Sequence, residues 1–367
     1  MSARATTIAQ GFSNRLLKEM YDRSLLDVIV NRDYQGEINA VGSTLNIMNF
    51  SRISEKNYTG ANLTPDSLEE TNAVLTIDQK KSYYWVEKTI DNWASYIKDP
   101  HSTVVAQKAD ERNKNMDEFV LAKYSDVGAG NRVGTSVTAG TVTIDSAGSV
   151  TGTGGVFTAD MVGLGFKADG HTKWYRVATY TGVNAITIEN DADDVASSYD
   201  GGAISGGSTY EIEAVTPVAI TTANFLEKVA DLKQKLDEVE KYGYNSVPDQ
   251  DRFLIVPPEF ENVMVRATGV ALHVPAVYED LIKKGMITEL LGFKIFRSNR
   301  LTGNNTDGYH IIGGHSNWMT FAEKLLQADM EEDLIGNFGS AYKDLFVYGA
   351  KVTDARRHFA GEILATF

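Results

Sequence analysis

The chain has no cysteine among its 367 residues, and only 7 prolines and 6 histidines. Without cysteine there are no disulfides, no thiol nucleophile and no zinc or iron–sulfur site built on thiolates. No window approaches ~20 consecutive apolar residues, so no membrane-spanning helix is expected. Basic blocks are missing too. Lys and Arg total 35 against 49 Asp and Glu, for a net charge of −14. Such a chain is poorly suited to gripping phosphates, which demand clustered cations. Met1 to Thr7 hold no apolar stretch of signal-peptide length, so folding in a cytosol-like compartment is the expectation.

Catalytic patterns are equally scarce. No Walker loop occurs, and histidines 101, 171, 273, 310, 315 and 358 have no metal-ligand spacing. Gly314-His315-Ser316-Asn317-Trp318 approaches the hydrolase elbow, but Trp318 stands where the tight strand-to-helix turn needs a small residue. Gly163-Leu164-Gly165-Phe166-Lys167-Ala168 fits a loose dinucleotide fingerprint. It lies in Gly/Thr-rich β sequence, without the flanking strand and helix that fingerprint requires. Asp191, Asp193 and Asp194 cluster like a calcium loop, yet position six of that register is Ala196 rather than glycine. They are weak metal candidates, and a solvated acidic turn is the better reading. The run Asp329, Glu331, Glu332 and Asp333 reads as a wet face, or as a partner for a neighbour's basic residues. No enzyme, cofactor or firm metal site is expected.

What the sequence does contain is packed, soluble-type material: 43% hydrophobic and 23% charged residues. Its length suggests two or three units. Composition shifts near 128 and again near 216. Between these points lie half of the 32 glycines, no proline and only four basic residues, Arg132, Lys167, Lys173 and Arg176. Alternating runs such as Trp174–Tyr180, Ala185–Glu189 and Thr209–Glu213 read as short strands. Residues 128–215 therefore read as a small all-β domain inserted into a host. Its expected core includes Phe166, Trp174 or Tyr175, Val177, Ile186, Ile188, Tyr210 and Ile212.

Helices flank this segment. One is expected from Asp99 and Pro100 to Tyr124, with Val105, Ala109, Met116, Phe119 and Val120 on its apolar face. The other carries Phe225, Val229, Leu232, Leu236 and Val239 at alternating steps of four and three. There Asn224 and Glu227 suggest a capping box, Gly243 a C-terminal stop, and Asp231–Lys235 and Asp237–Lys241 paired charges.

Residues 36–90 read as strands. Val41, Leu45 and Ile47 alternate along one, Val74–Ile77 form a second, and Ser82–Ile90 a third with Tyr84, Val86 and Ile90 on one side. The polar stretch Ser51 to Asn72 would make the tip of a projecting hairpin that needs a neighbouring surface. Arg52, Glu55, Lys56, Asp66, Glu69 and Glu70 are the candidate contacts to an adjacent subunit. The last third alternates helix and strand: Phe253–Val256, a helix Ala276–Lys284, then strands Phe293–Phe296, Tyr309–Ile312 and Leu345–Tyr348.

Several stretches, in order, resemble the major capsid (coat) proteins of tailed bacteriophages, which have the Hong Kong 97-type fold. They are Val30–Ile38 with Gly42, Leu75–Asp78, Tyr84–Lys88, the helix to Tyr124, Phe253–Glu259, Gly285–Ile287, Gly292–Ile295 with Ser298-Asn299, and Phe346–Val352. The resemblance implies an α+β fold with an N-terminal arm (1–35), an extended β-hairpin loop (36–90) and a peripheral domain with a long spine helix (91–127). It further implies the inserted β-domain (128–215), an axial domain (216–345) and a C-terminal strand (346–367) returning to the peripheral domain. It implies a structural protein of the virion, assembled in the host cytoplasm as homo-pentamers and homo-hexamers enclosing DNA. The absence of a long charged helical prodomain implies a separate scaffolding protein; a portal and a decoration protein are the other expected partners, and no membrane. The rival reading is a carbohydrate-binding or adhesin-like protein working through 128–215, with Trp174, Tyr175 and Tyr180 as an aromatic platform. Strand alternation puts Trp174 and Tyr180 on one face, where core packing is the more natural role, and Tyr175 on the other.

Overall fold

The computed structural model describes residues 25–33, 44–50, 55, 57, 65, 70–88, 100–191, 198–267, 289–332 and 338–367. Strands are numbered in chain order. β1 (Thr44–Phe50) and β2 (Glu70–Thr76) form an antiparallel hairpin with Phe50 opposite Glu70. β3 (Gln79–Lys88) leaves that hairpin and joins the long strands β19 (Met319–Glu332) and β20 (Gly339–Val352) in an outer sheet of order β19–β20–β3. The hairpin's alternation gives it an apolar face, Leu45, Ile47, Ala73 and Leu75, which packs with Ile77 on Ala322 and Val347 of this sheet. Its root is therefore covered by its own chain, contrary to the expectation that it needs a neighbour.

A contiguous stretch makes the second sheet: β5 (Thr135–Val137), β6 (Val142–Ile144), β7 (Ser149–Gly152), β8 (Gly165–Ala168), β9 (Tyr175–Gly182), β10 (Ala185–Asn190), β11 (Ile204–Ser208) and β12 (Tyr210–Thr216). Its order is β11–β6–β7–β10–β9–β8–β12–β5. It has its own core around Phe157, Phe166, Tyr175, Val177, Ile186, Ile188, Tyr210 and Ile212. Simple alternation fails in β9. Ile188 faces Val177 and Thr187 faces Thr179, with a register shift between them. That bulge flips the strand's parity. Tyr175 and Val177 before it and Tyr180 after it thus all turn to the core. Trp174 lies outside the strand, buried with Lys235 of the helix Phe225–Glu238 over its ring at 5.4 Å.

The central sheet has the order β13 (Val218–Ala219), β21 (Ala360–Thr366), β18 (Gly308–His315), β14 (Arg252–Val256), β16 (Phe293–Arg297), β15 (Glu289–Leu290). β17 (Gly303–Asn304) pairs with β18, and β4 (Arg132–Val133) with β21. All five residues of β14 are buried, and its neighbours run parallel on one side and antiparallel on the other. The helix Phe225–Glu238 lays Phe225, Val229, Leu232 and Leu236 onto this core.

The long helix Pro100–Leu121 spans about 33 Å at 1.5 Å per residue. Val105, Ala109, Met116 and Val120 are buried as their spacing predicts. Its polar side is not free, however: Lys108, Arg112, Asn113 and Asp117 are buried too.

Tyr84 and Val86 share one side of β3, as their alternation predicts; that side faces outward, 65% and 37% exposed, and Trp85 on the opposite side stacks on Tyr342 at 4.8 Å. Other expectations need correction. Asn224 accepts from the Thr221 backbone N–H at 2.7 Å and makes no helix cap. Lys228, not Lys235, pairs with Asp231 at 2.9 Å, and Asp237 reaches Arg252 at 2.7 Å. Gly243 does end that segment in the left-handed region, φ +87°. Residues 346–367 do not return as one strand to the outer sheet. β20 ends there at Val352, and β21 lies in the central sheet. Ala276–Lys284 lies outside the described residues.

Candidate assembly surfaces and the joints behind them

The long helix is fixed to the outer sheet by charge. Arg112 donates to Asp344 Oδ1 at 2.5 Å, with both side chains buried. Its guanidinium lies 4.9 Å from the Tyr83 ring and 4.8 Å from that of Phe346. Asp344 Oδ1 also accepts from Tyr83 N–H at 3.1 Å. One turn away, Lys108 sits over Tyr83 and Trp85 at 5.2 and 5.5 Å, and burial pushes its ammonium down to about 8. On another side of the helix, Asp117 takes Arg300 at 2.5 Å. Burial pushes Asp117 up to about 6 against the pull of that arginine. The helix is thereby held both to the outer sheet and to the segment between β16 and β17.

These buried fasteners present one wholly exposed strand face. Lys80, Ser82, Tyr84, Val86 and Lys88 of β3 are all exposed. Val74 of β2 is 45% exposed, and Phe338, beside the start of β20, 84% exposed. Large apolar groups left in water on an otherwise well-packed sheet are the usual mark of an interaction surface. Glu331 of β19 is exposed and Asp329 half-buried; Asp333 lies outside the described residues. Of the expected loop-tip contacts, Glu55 is exposed and Glu70 sits at the start of β2. Arg52, Lys56, Asp66 and Glu69 lie outside the described residues.

A second set of buried charges joins the second sheet to the central one. Asp191, at the end of β10, accepts from Ala129 N–H and from Arg357 Nη1 at 2.7 Å. Arg176 Nε stands 3.6 Å away and His358 Nε2 3.4 Å away. Burial pushes the Asp191 carboxyl up, and His358, Arg357, Arg176 and the Ala129 N–H more than reverse the shift. Glu213 of β12 accepts from Gly130 N–H at 2.7 Å and Arg132 N–H at 3.2 Å, with Lys235 Nζ at 3.6 Å. Arg132 donates to Glu362 of β21 at 2.8 Å, and Glu362 also meets His310 at 2.5 Å. A groove of about 340 Å³ remains beside this joint, lined by Trp174, Arg132, Glu211, Lys235, Glu238 and Tyr242.

Three site readings change with this geometry. Asp191 is committed to guanidinium and backbone donors rather than set in a solvated turn; Asp193 and Asp194 lie outside the described residues. Among the described residues no three potential ligands gather into a metal site. Trp174 and Tyr175 are 6% and 2% exposed, so the aromatic platform does not exist as a surface. Trp318 is fully buried and donates through Nε1 to Ile29 O at 2.9 Å, which fits packing rather than a hydrolase elbow. The joint residues Glu213, Arg357 and His358 were missed by sequence reasoning, and Asp191 was noticed but given another role. Pairs 166 residues apart leave no local spacing to read, although Glu213 inside an apolar strand run was a clue.

Comparisons agree with this architecture. A family model described as phage capsid protein matches residues 178–359, just under half of the chain, from within β9 to the turn before β21. No curated protein matches the sequence. A solved structure from Mycobacterium phage Che8 superposes with a TM-score of 0.53 at 16% identity, over 93% of this chain and 90% of that one. The asymmetric unit of the bacteriophage PhiM1 mature capsid gives 0.52 at 13% identity, over 94% and 87%. At such identities these likenesses speak for the fold. Family match and fold agree: residues 178–359 match a phage capsid protein family, and the chain has the Hong Kong 97-type fold of tailed-phage capsid proteins.

Proposed function

We propose that the chain is the shell-building subunit of a phage head, forming homo-pentamers and homo-hexamers that close around double-stranded DNA. The observation that carries this reading is the contrast between the two sides of the outer sheet. One side is locked onto the long helix by buried charge. The other leaves Tyr84 and Val86 in water. A monomer gains nothing from that exposure, whereas contacts repeated around a ring would cover it and close by rotation. The net charge of −14 suits a lining that repels phosphate and leaves packaged DNA mobile.

In this reading the hairpin tip, with Arg52, Glu55, Lys56, Asp66, Glu69 and Glu70, reaches an adjacent subunit. Residues 128–215 act as an inserted domain that contacts a neighbour or decorates the outer surface. A separate scaffolding protein and a portal join assembly in the host cytoplasm, and a decoration protein can bind the finished shell. The test is expression of the full chain, alone and with a candidate scaffold, followed by electron microscopy. Closed shells or capsomer rings are expected. A chain that stays monomeric at high concentration under both conditions overturns the reading. Deleting Ser54 to Ser67 should leave a folded subunit that assembles poorly, and a deletion that unfolds the subunit puts the loop in the core instead.

A further inference from the structure

The imidazole of His358 is an unusual group to bury. It is 1% exposed, and neither ring nitrogen has a hydrogen-bond partner of good geometry among the described residues. It is also locked in place. Its ring stacks on Tyr244 at 3.6 Å, and a Cβ at Gly128 would stand 2.2 Å from Nδ1. The ring therefore sits where three pieces meet: the 3-10 turn Asp354–Phe359, the segment leading to β4, and the Asp191 end of β10.

We propose that His358 is the proton-binding element of a latch, whose protonation draws the ring out toward water, opens the joint at the C-terminal turn and loosens the second sheet from the central sheet.

Burial sets the direction, because the ring is packed away from water with neither nitrogen well bonded, and the charges around it are mixed. One carboxylate, Asp191, already serves Arg357 on the same turn and Arg176 on β9. Tyr244, from the segment after the helix Phe225–Glu238, adds only a neutral stacking face. Arg132 and Asp126 flank Arg176 with opposite signs, so they largely offset each other. With a neutral imidazole the core of the cluster holds two cations and one anion. A proton on His358 makes three cations against one anion in a buried site, and the pull of Asp191 at 3.4 Å offsets only part of the cost of burying it. Repulsion at such distances is weakly screened. The hydrogen bonds it strains are Arg357 to Asp191 and Gly128 N–H to Arg357 O at 3.1 Å, which hold the turn to the joint.

Linkage gives the same sign. Burial, with Arg357 and Arg176, pushes His358 down to about 4 from an ordinary 6.5, against the pull of Asp191. A base that binds its proton less well in the closed state must favour the open state once protonated. The closed joint is thus fully favoured above 6.5 and loses its advantage as pH falls toward 4. Asp191, held below its ordinary value, titrates beneath this window. The device does not depend on shell assembly and can be tested in the free subunit.

Amide hydrogen exchange on the full chain, corrected for intrinsic rates, reads the latch directly. Protection at 128–131 and 353–359 should fall below pH 6.5, by about 100-fold at pH 4.5, while β14 keeps its own. His358→Phe keeps a ring against Tyr244 and cannot be charged, so its joint should hold protection across the same range. Unchanged protection in the natural chain down to pH 4.5, or the same loss in His358→Phe, overturns the proposal. If that variant fails to fold, exchange of the His358 ring C–H in the natural chain decides. A midpoint well below 6 supports the latch, and one at 6.5 or above rules it out.

Discussion

Arg112 and Asp344, 232 residues apart, form an ion pair of 2.5 Å in which neither side chain is more than 2% exposed. Removing one partner of such a pair leaves a buried, uncompensated charge, which costs about 3–5 kcal/mol. Asp344→Ala should therefore destabilise strongly and weaken the seat of the long helix on β20. The double change Arg112→Met, Asp344→Leu should recover most of the loss, because shape is kept and no charge is stranded. Urea unfolding of the two variants distinguishes the cases, and equal losses in both would show that the aromatic stacking around Arg112 matters more than the charge.

Gly314 supports a second prediction. A Cβ there would stand 2.3 Å from Phe359 O and 2.6 Å from Ala360 Cα, both backbone atoms of the adjacent segment. Neither can yield without separating β18 from β21. Gly314→Ala should cost at least the 1–3 kcal/mol typical of overpacking, whereas Gly182→Ala, with open space around it, should be nearly neutral. Thermal unfolding of both variants checks this. The glycine that sequence motifs cast as part of an elbow is here a spacer between strands.

Between them these residues show what the sequence could and could not disclose. Periodicity placed the helix Phe225–Glu238, the strand β14 and the core of the second sheet, because burial there follows a local repeat. Where burial is arranged by distant charge, local pattern misleads. The helix Pro100–Leu121 looked amphipathic, yet its polar side holds Arg112 and Asp117, whose partners Asp344 and Arg300 lie far along the chain. Alternation in β3 put Tyr84 and Val86 on one side of the strand, which they share, but could not say which side faces water; that depends on β20 and the long helix packing against the other side. In β9 a single bulge was enough to put Tyr175 and Tyr180, which simple alternation separates, on the same core-facing side. Asp191 looked like part of a solvated acidic turn because its arginines come from two other elements.

A pH-dependent prediction concerns His171. Its Nδ1 accepts from Ala168 N–H at 3.2 Å, and Nε2 meets Tyr199 Oη at 2.7 Å, whose hydroxyl donates to Gly202 O. This chain fits only the neutral ring with its proton on Nε2. Burial, reinforced by Lys167 and opposed by Asp200, pushes the imidazole down to about 4. The contribution is present above the ordinary 6.5 and is lost as pH falls toward 4. Protection of the Ala168 amide should decline across that window. His171→Gln can accept and donate in the same places, so the decline should flatten at a modest cost of about 0.5–3 kcal/mol.

The last prediction is replacement of 135–216 by a short Gly/Ser linker. Those residues carry their own sheet and core, and β4 and β13 on either side of them both pair with β21 in the central sheet. The two ends are thus already held near one strand, and a short linker can span them. The replacement deletes Asp191 and Glu213, which leaves Arg357, His358 and Lys235 without their carboxylates. It also uncovers the surface on which they lie, so water takes over much of the lost solvation. The cost should therefore resemble a few exposed hydrogen bonds, about 1–3 kcal/mol in all, and not the penalty of stranded buried charge. Circular dichroism and urea unfolding of the shortened chain should show an intact, cooperative central sheet. Adding Arg357→Leu should change stability little. A large recovery from that second change would mean that the arginine stays buried without the second sheet, and failure of the shortened chain to fold would mean that 135–216 is part of the central structure and not a separable unit.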